Sequence, residues 1–220
     1  MTQQLKIDFV SDVVCPWCAV GLYGLEEALR RTADVVTADV TFQPFELNPG
    51  MRPDGQNIDE HIAEKYGSGS EQLAASREML RTRAAGVGFA INTSAESRIY
   101  NTFDAHRLLH WAKTLGRQRE LKHALLKANF TEGRNVSDRD VLVAIGASAG
   151  LDANQTRAVL ESGQYADDVR EAEQLWLSRG IQGVPGIVIE GKWLISGGQP
   201  PEVFEQALRS IGTELAAITK

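Results

Sequence analysis

Cysteine is scarce in this sequence. Among 220 residues only Cys15 and Cys18 are present, three positions apart. A disulfide that closes so short a loop removes little entropy from the unfolded chain, so it would add little to the stability of the fold. A structural zinc site normally takes four ligands, and no second cysteine pair exists to complete one. The pair is therefore a candidate for redox chemistry.

Long apolar runs and an excess of basic charge are also lacking. No stretch of about 18 apolar residues is present, so we expect no transmembrane helix. Lys and Arg number 23 against 29 Asp and Glu, and the resulting net charge of -6 gives no electrostatic reason to expect nucleic acid or an anionic membrane as partner. The first residues have no basic leader followed by an apolar signal stretch, from which we expect a cytoplasmic protein.

The two cysteines lie where a strand pattern changes into a helix pattern. Before them, apolar residues alternate with polar ones at Leu5, Ile7 and Phe9. After them, one helix face is marked by Cys18, Leu22, Leu25 and Leu29. Pro16 suits the first helical turn because it has no N–H that would go unbonded. The cysteines are thus predicted at a helix N-terminus.

The rest of the sequence predicts a second strand, then a series of helices, and finally a C-terminal unit of strands and a helix. A strand is expected near residues 36–47, and Pro44 within it indicates a sheet edge or a strand end. Strand, helix and strand in this order predict a parallel βαβ unit. The candidate helices that follow are Ile58–Tyr66, Glu71–Ala85, Ala95–Leu115, Arg117–Phe130, Asp138–Ala149 and Ala153–Glu161. After one further helix, two strands joined at Glu190 and Gly191 and a final helix predict a ββα unit.

Three segments of the sequence resemble the DsbA family of thiol-disulfide oxidoreductases. They are Phe9–Cys18, which contains Cys-Pro-Trp-Cys, then Asn101–Arg107, and Gly183–Gly186, which contains Val-Pro. Within that family the chain is most similar to the FrnE-like branch, and the resemblance spans nearly the whole chain. It implies an α/β, thioredoxin-like fold, built from the βαβ and ββα units, with a large all-helical insertion domain.

The resemblance also implies a domain division and a backbone geometry. The thioredoxin-like domain is expected to be discontinuous, with residues 1–48 and 165–220, and the helical insertion domain to span 49–164. The Val184–Pro185 peptide is expected to be cis and to face the cysteines. The insertion is expected to cover one side of the active site.

The two cysteines are expected to have different roles. Cys15 would attack a disulfide, because unpaired backbone N–H groups and the helix dipole at the N-terminus favour its thiolate. Cys18, one turn further along and on the apolar face, would resolve the mixed disulfide. An extended substrate could pair with the backbone exposed beside a cis proline. The candidate substrate-binding residues are Pro16, Trp17, Val184, Pro185, Asn101 and His106.

Other functions stay open at this point. The 2-hydroxychromene-2-carboxylate isomerases and the kappa-class glutathione transferases are similar in architecture, but activate glutathione with a single Ser or Cys, so Cys18 favours the redox function. A redox-independent chaperone that binds unfolded chains is a third possibility. We expect a disulfide- or dithiol-containing protein or small molecule as partner, no tightly bound cofactor, and glutathione as a candidate redox partner. The oligomeric state is left open.

A metal site is not expected. His106 and His110 lie four positions apart on a predicted helix, which is a spacing that can bind a metal ion. No Glu follows His106 in the manner of the zinc proteases, however.

Overall fold

The computed structural model describes residues 2–67 and 70–218. Its main sheet has the strand order β2-β1-β5-β6, with strands at β1 (Gln3–Ser11), β2 (Val36–Pro44), β5 (Gly186–Ile189) and β6 (Trp193–Ser196). β1 pairs parallel with β2 and antiparallel with β5, and β5 pairs antiparallel with β6. The predicted βαβ and ββα units are thereby confirmed, and Pro44 ends an edge strand.

Two helices cover the sheet. The first, α1 (Pro16–Arg31), connects β1 to β2, and the last, α9 (Pro201–Ile218), packs against it. Leu22 and Leu25 on α1 and Phe204 on α9 are buried in one apolar cluster with the inward-facing residues of β1. Each fully buried Leu or Phe side chain contributes about 1.5–3 kcal/mol to folding. This cluster fixes the start of α1, where the cysteines lie, against the sheet.

The segment between β2 and β5 is mainly helical. A short antiparallel pair, β3 (Gln56–Asn57) with β4 (Arg98–Ile99), lies within it. The helices are α2 (Ile58–Tyr66), α3 (Ser70–Gly86), α4 (Phe103–Thr114), α5 (Gln118–Phe130), α6 (Arg139–Ser148), α7 (Ala153–Glu161) and α8 (Ala166–Ser178). No helix within the described ranges is long and apolar enough to cross a membrane.

One predicted helix begins later than the sequence indicated. The periodicity placed a helix over Ala95–Leu115, whereas α4 starts at Phe103. The backbone before it bonds to a distant segment instead, since Ser97 O accepts from Ile58 N and the Arg98 side chain donates to the carbonyls of Asp54 and Gly55. The prediction was wrong for this stretch because these bonds join residues far apart in sequence.

A second apolar cluster joins α4, α5, α6 and α7. Val13 and Val14, which immediately precede the cysteines, are buried in this cluster, whereas Cys15 and Cys18 are buried in the first. The chain therefore passes from the second cluster into the first between Val14 and Cys15, at the start of the Cys-Pro-Trp-Cys segment. Both cores restrict its position.

A close approach of the loop after β6 to the start of α1 depends on Gly198. A Cβ atom at this position would lie 2.6 Å from the carbonyl oxygen of Trp17. We therefore expect Gly198→Ala to lower the free energy of unfolding by roughly 1–3 kcal/mol through overpacking. Gly163→Ala is the control, because a Cβ there would meet nothing within 4 Å. Equal urea midpoints for the two variants would contradict this account.

Candidate active site

Cys15 and Cys18 occupy the first turn of α1, as free thiols. Cys15 is the N-cap residue, with extended backbone angles of φ -90 and ψ 112, and Pro16 follows as the first helical residue. The Cys18 N–H donates to the Cys15 carbonyl at 3.0 Å. Cys15 is 4% exposed and Cys18 is completely buried. Cys15 is thus the sulfur nearer to solvent, and Cys18 lies beneath it.

The Val184–Pro185 peptide is cis and lies beside Cys15. The Cys15 thiol donates to the carbonyl oxygen of Val184 at 3.6 Å. Gly21 permits close packing here, since a Cβ at Gly21 would lie 3.2 Å from Pro185 Cγ. Val184 is partly exposed and Pro185 is buried. The structure therefore brings four of the sequence-predicted site residues together, namely Cys15, Cys18, Val184 and Pro185.

A buried carboxylate lies three residues before Cys15. Asp12 is completely buried, its Oδ2 accepts from the Leu47 N–H at 2.8 Å, and its Oδ1 lies 3.4 Å from His106 Nε2. Burial favours the neutral acid, but the neighbouring His106 and the Leu47 N–H favour the anion, and the pKa of Asp12 is lowered overall. Asp12 is therefore an anion within the protein core.

For the inner cysteine, burial is not outweighed by its neighbours. It raises the pKa of the Cys18 thiol well above its ordinary value, and the hydrogen bond and charge of Cys15 add to this rise. The charge of Lys122 on α5 opposes it. Cys18 is consequently a protonated thiol in the reduced protein, and it needs to lose a proton before it can attack a disulfide.

The four remaining sequence-predicted residues differ in their surroundings. Pro16 and Trp17 are partly exposed at the start of α1. The Asn101 side chain donates to the Met51 carbonyl at 3.1 Å and accepts from the Phe103 N–H at 3.0 Å, so it organises the start of α4. His106 is buried behind the motif against Asp12. Contact of these residues with a substrate stays a prediction.

The two histidines of α4 have different neighbours. His106 faces Asp12, whereas the His110 ring stacks on Tyr165 with centroids 5.3 Å apart and lies 4.0 Å from Asp168. Within residues 2–67 and 70–218, no group of three or more His, Cys, Asp or Glu side chains could hold a metal ion.

Two charged residues of the site, Asp12 and Lys122, were not predicted from the sequence. Asp12 lies three positions before Cys15, and Lys122 lies on the buried face of α5 with Leu121 and Leu125. The signal for Lys122 was present, since it falls at helical spacing among apolar residues. Asp12 gave no such signal, because only the folded chain brings His106 and Leu47 to it.

Known proteins are similar to this chain over most of its length. Residues 6–209 match the DSBA-like thioredoxin domain. The chain belongs to that family. The crystal structure of a probable DsbA oxidoreductase from Streptomyces coelicolor is similar, with 40% identity, a TM-score of 0.87, and coverage of 94% of this chain and 89% of the other. The Bacillus subtilis protein YwbO is 30% identical over 94% of this chain and 96% of its own length.

A more distant protein of known structure shares the fold of this chain. The cytosolic disulfide reductase DsbM from Pseudomonas aeruginosa, solved with GSH, has a TM-score of 0.58 and 21% identity, covering 94% of this chain and 98% of the other. At 21% identity this similarity shows a common fold and no more. The two solved structures thus share the overall fold of this chain.

Proposed function

We propose that this protein is a thiol-disulfide oxidoreductase that exchanges disulfides with protein or small-molecule substrates through Cys15 and Cys18. The observation that carries the proposal is a pair of free thiols at the start of one helix. The outer thiol, Cys15, donates to the Val184 carbonyl of the cis peptide. Membership of the chain in the DSBA-like thioredoxin domain family supports it.

The exchange proceeds through a mixed disulfide. The Cys15 thiolate attacks one sulfur of the substrate disulfide, and the other substrate sulfur leaves as a thiolate and takes up a proton. The Cys18 thiolate then attacks Cys15 Sγ, which forms the internal disulfide and releases the second substrate thiol. In the opposite direction the same steps oxidise a substrate dithiol.

The backbone beside Cys15 is suited to hold an extended substrate. Pro185 has no N–H to offer, and the Val184 carbonyl already lies within reach of the reacting sulfur. A substrate strand paired along Val184 would present its disulfide to Cys15. Pro16 and Trp17, on the helix side, would form the opposite wall.

Glutathione is proposed as a redox partner, and the cytoplasm as the compartment. The reductase DsbM, which was solved with GSH and is described as cytosolic, supports both. A single cysteine pair that forms no structural disulfide also fits a reducing compartment. Placement in the FrnE-like branch stays a prediction.

The alternative is a glutathione-dependent isomerase or transferase. Such an enzyme would need one activated group and no resolving thiol, so Cys18 beneath Cys15 argues against it. Two assays on the wild-type protein distinguish the functions: glutathione-driven reduction of a disulfide peptide, and addition of glutathione to an aromatic electrophile. We expect turnover in the first and only the background rate in the second. The reverse result would replace this proposal with the transferase.

A further inference from the structure

A cleft of about 270 Å³ opens beside the residue that precedes Cys15. Val14 forms part of its wall, and the other lining residues belong to the helical segment between β2 and β5. Most of them come from residues 93–100 and from the end of α5, at residues 129–133. Because Val14 is joined directly to Cys15, a ligand in this cleft would lie next to the residue that carries the reacting sulfur.

Part of the wall is apolar and held in place by the two cores. Val14 is 7% exposed and is buried in the second apolar cluster, whereas Phe130 is 3% exposed and is buried in the first. Pockets for complete small molecules measure roughly 300–1,000 Å³. At about 270 Å³, the cleft therefore suits one part of a substrate, next to its sulfur.

Two polar groups in the wall have no partner in the protein. The Asn129 side chain and the Tyr100 hydroxyl form no hydrogen bond within the part of the chain that the structure describes. Both side chains are partly exposed, and the Tyr100 ring packs against the second apolar cluster. By contrast, the Arg98 guanidinium in the same wall already donates to the carbonyls of Asp54 and Gly55, at 3.0 and 2.9 Å. The Asn129 amide and the Tyr100 hydroxyl are thus available to a ligand.

The chemistry of the wall matches a peptide group. A side-chain amide donates and accepts, as a peptide group does, and a tyrosine hydroxyl can do either. Glu96 and Arg98 are exposed in the wall and carry opposite charges, so the cleft favours a ligand of neither sign. An uncharged amide with a small apolar group beside it fits this combination.

We propose that the cleft binds a peptide group next to the reacting cysteine of the substrate, and that Asn129 and Tyr100 recognise it. The inference deepens the proposed function and rests on it. The substrate would then be held on two sides of Cys15, by the Val184 backbone and by the cleft beside Val14. No bond forms or breaks in the cleft, so it selects between disulfides and leaves the sulfur chemistry unchanged.

The test compares disulfides with and without peptide groups. Glutathione disulfide and a capped disulfide peptide carry such groups, whereas bis(2-hydroxyethyl) disulfide has none. The reduced protein is mixed with each, and its oxidation is followed by alkylation and mass. For Asn129→Ala we expect the second-order rate constant to fall about tenfold with an amide-bearing disulfide, as the loss of one or two hydrogen bonds implies. The rate constant with bis(2-hydroxyethyl) disulfide should stay at the wild-type value.

Tyr100→Phe is the second variant, because it removes the hydroxyl and keeps the ring that packs in the core. Its rate constant with an amide-bearing disulfide should fall about threefold, the effect of one hydrogen bond. The control is Asn154→Ala, since Asn154 is exposed on α7 and lies outside the cleft. We expect wild-type rate constants for this control with all three disulfides.

The two amide-bearing disulfides also distinguish the source of the peptide group. A loss confined to glutathione disulfide would assign the cleft to glutathione, and a loss that includes the capped peptide would assign it to protein substrates.

Two results would overturn the inference alone. One is a set of wild-type rate constants in Asn129→Ala with all three disulfides. The other is an equal loss with all three, which would show an effect on Cys15 itself. A wild-type protein that none of the three disulfides oxidises would overturn the proposed function, and this inference with it.

Discussion

Replacing Cys18 with serine is expected to stop the exchange half-way, with the substrate covalently attached to Cys15. The outer sulfur still attacks, but the hydroxyl beneath it cannot displace the substrate sulfur. Turnover of a disulfide peptide should fall by about 10³-fold or more, because both steps belong to one reacting unit. Mass spectrometry of the intact protein after mixing should show one peptide per chain.

Cys15→Ser is the matched comparison. It removes the nucleophile and leaves Cys18 completely buried, so we expect loss of turnover without any adduct. Wild-type turnover in Cys18→Ser would contradict the two-thiol mechanism. It would instead favour an enzyme that activates glutathione with Cys15 alone.

Removal of the Asp12 carboxylate is expected to have the largest effect on stability. Asp12→Ala leaves the Leu47 N–H, His106 and Lys122 without the anion they share. Breaking a buried ionic group in this way costs roughly 3–5 kcal/mol. Urea unfolding at neutral pH measures the loss. Asp39→Ala is the control, because Asp39 is exposed on β2 and should change stability by less than about 0.5 kcal/mol.

The effect of Asp12 should depend on pH in a defined direction. Its pKa in the fold lies below the ordinary value of 3.8. The stabilisation is therefore complete above pH 3.8 and is lost as pH falls through the folded pKa. The difference in the free energy of unfolding between the wild-type protein and Asp12→Ala should accordingly be constant near neutral pH and become smaller in acid. If this difference in the free energy of unfolding became larger as the pH fell, Asp12 would be protonated in the folded protein.

The start of α1 could be predicted because its determinants are local. The alternation of Leu5, Ile7 and Phe9, and the proline that follows Cys15, determine the strand and the helix within a short stretch. The hairpin at Glu190 and Gly191 is local in the same sense, since both residues adopt positive φ there.

Features that depend on distant segments could not be predicted. The residues before Phe103 have helical composition, but the Ser97 carbonyl accepts from the Ile58 N–H and the Arg98 side chain donates to the Gly55 carbonyl. Likewise, Asp12 and Lys122 are a loop residue and a helix residue more than a hundred positions apart in sequence. Their convergence on Cys18 follows from the packing of α5 against the sheet and α1, which no local pattern encodes.

The central claim is that Cys15 and Cys18 form one dithiol-disulfide couple. The most direct measurement equilibrates the protein in a series of glutathione redox buffers, quenches with an alkylating agent, and counts free thiols by mass. We expect a single reversible two-electron transition from two free thiols to none. Its midpoint against the cytosolic poise of roughly -220 to -320 mV gives the direction of catalysis. Retention of both thiols, or one glutathione bound per chain at the oxidising end, would contradict the account.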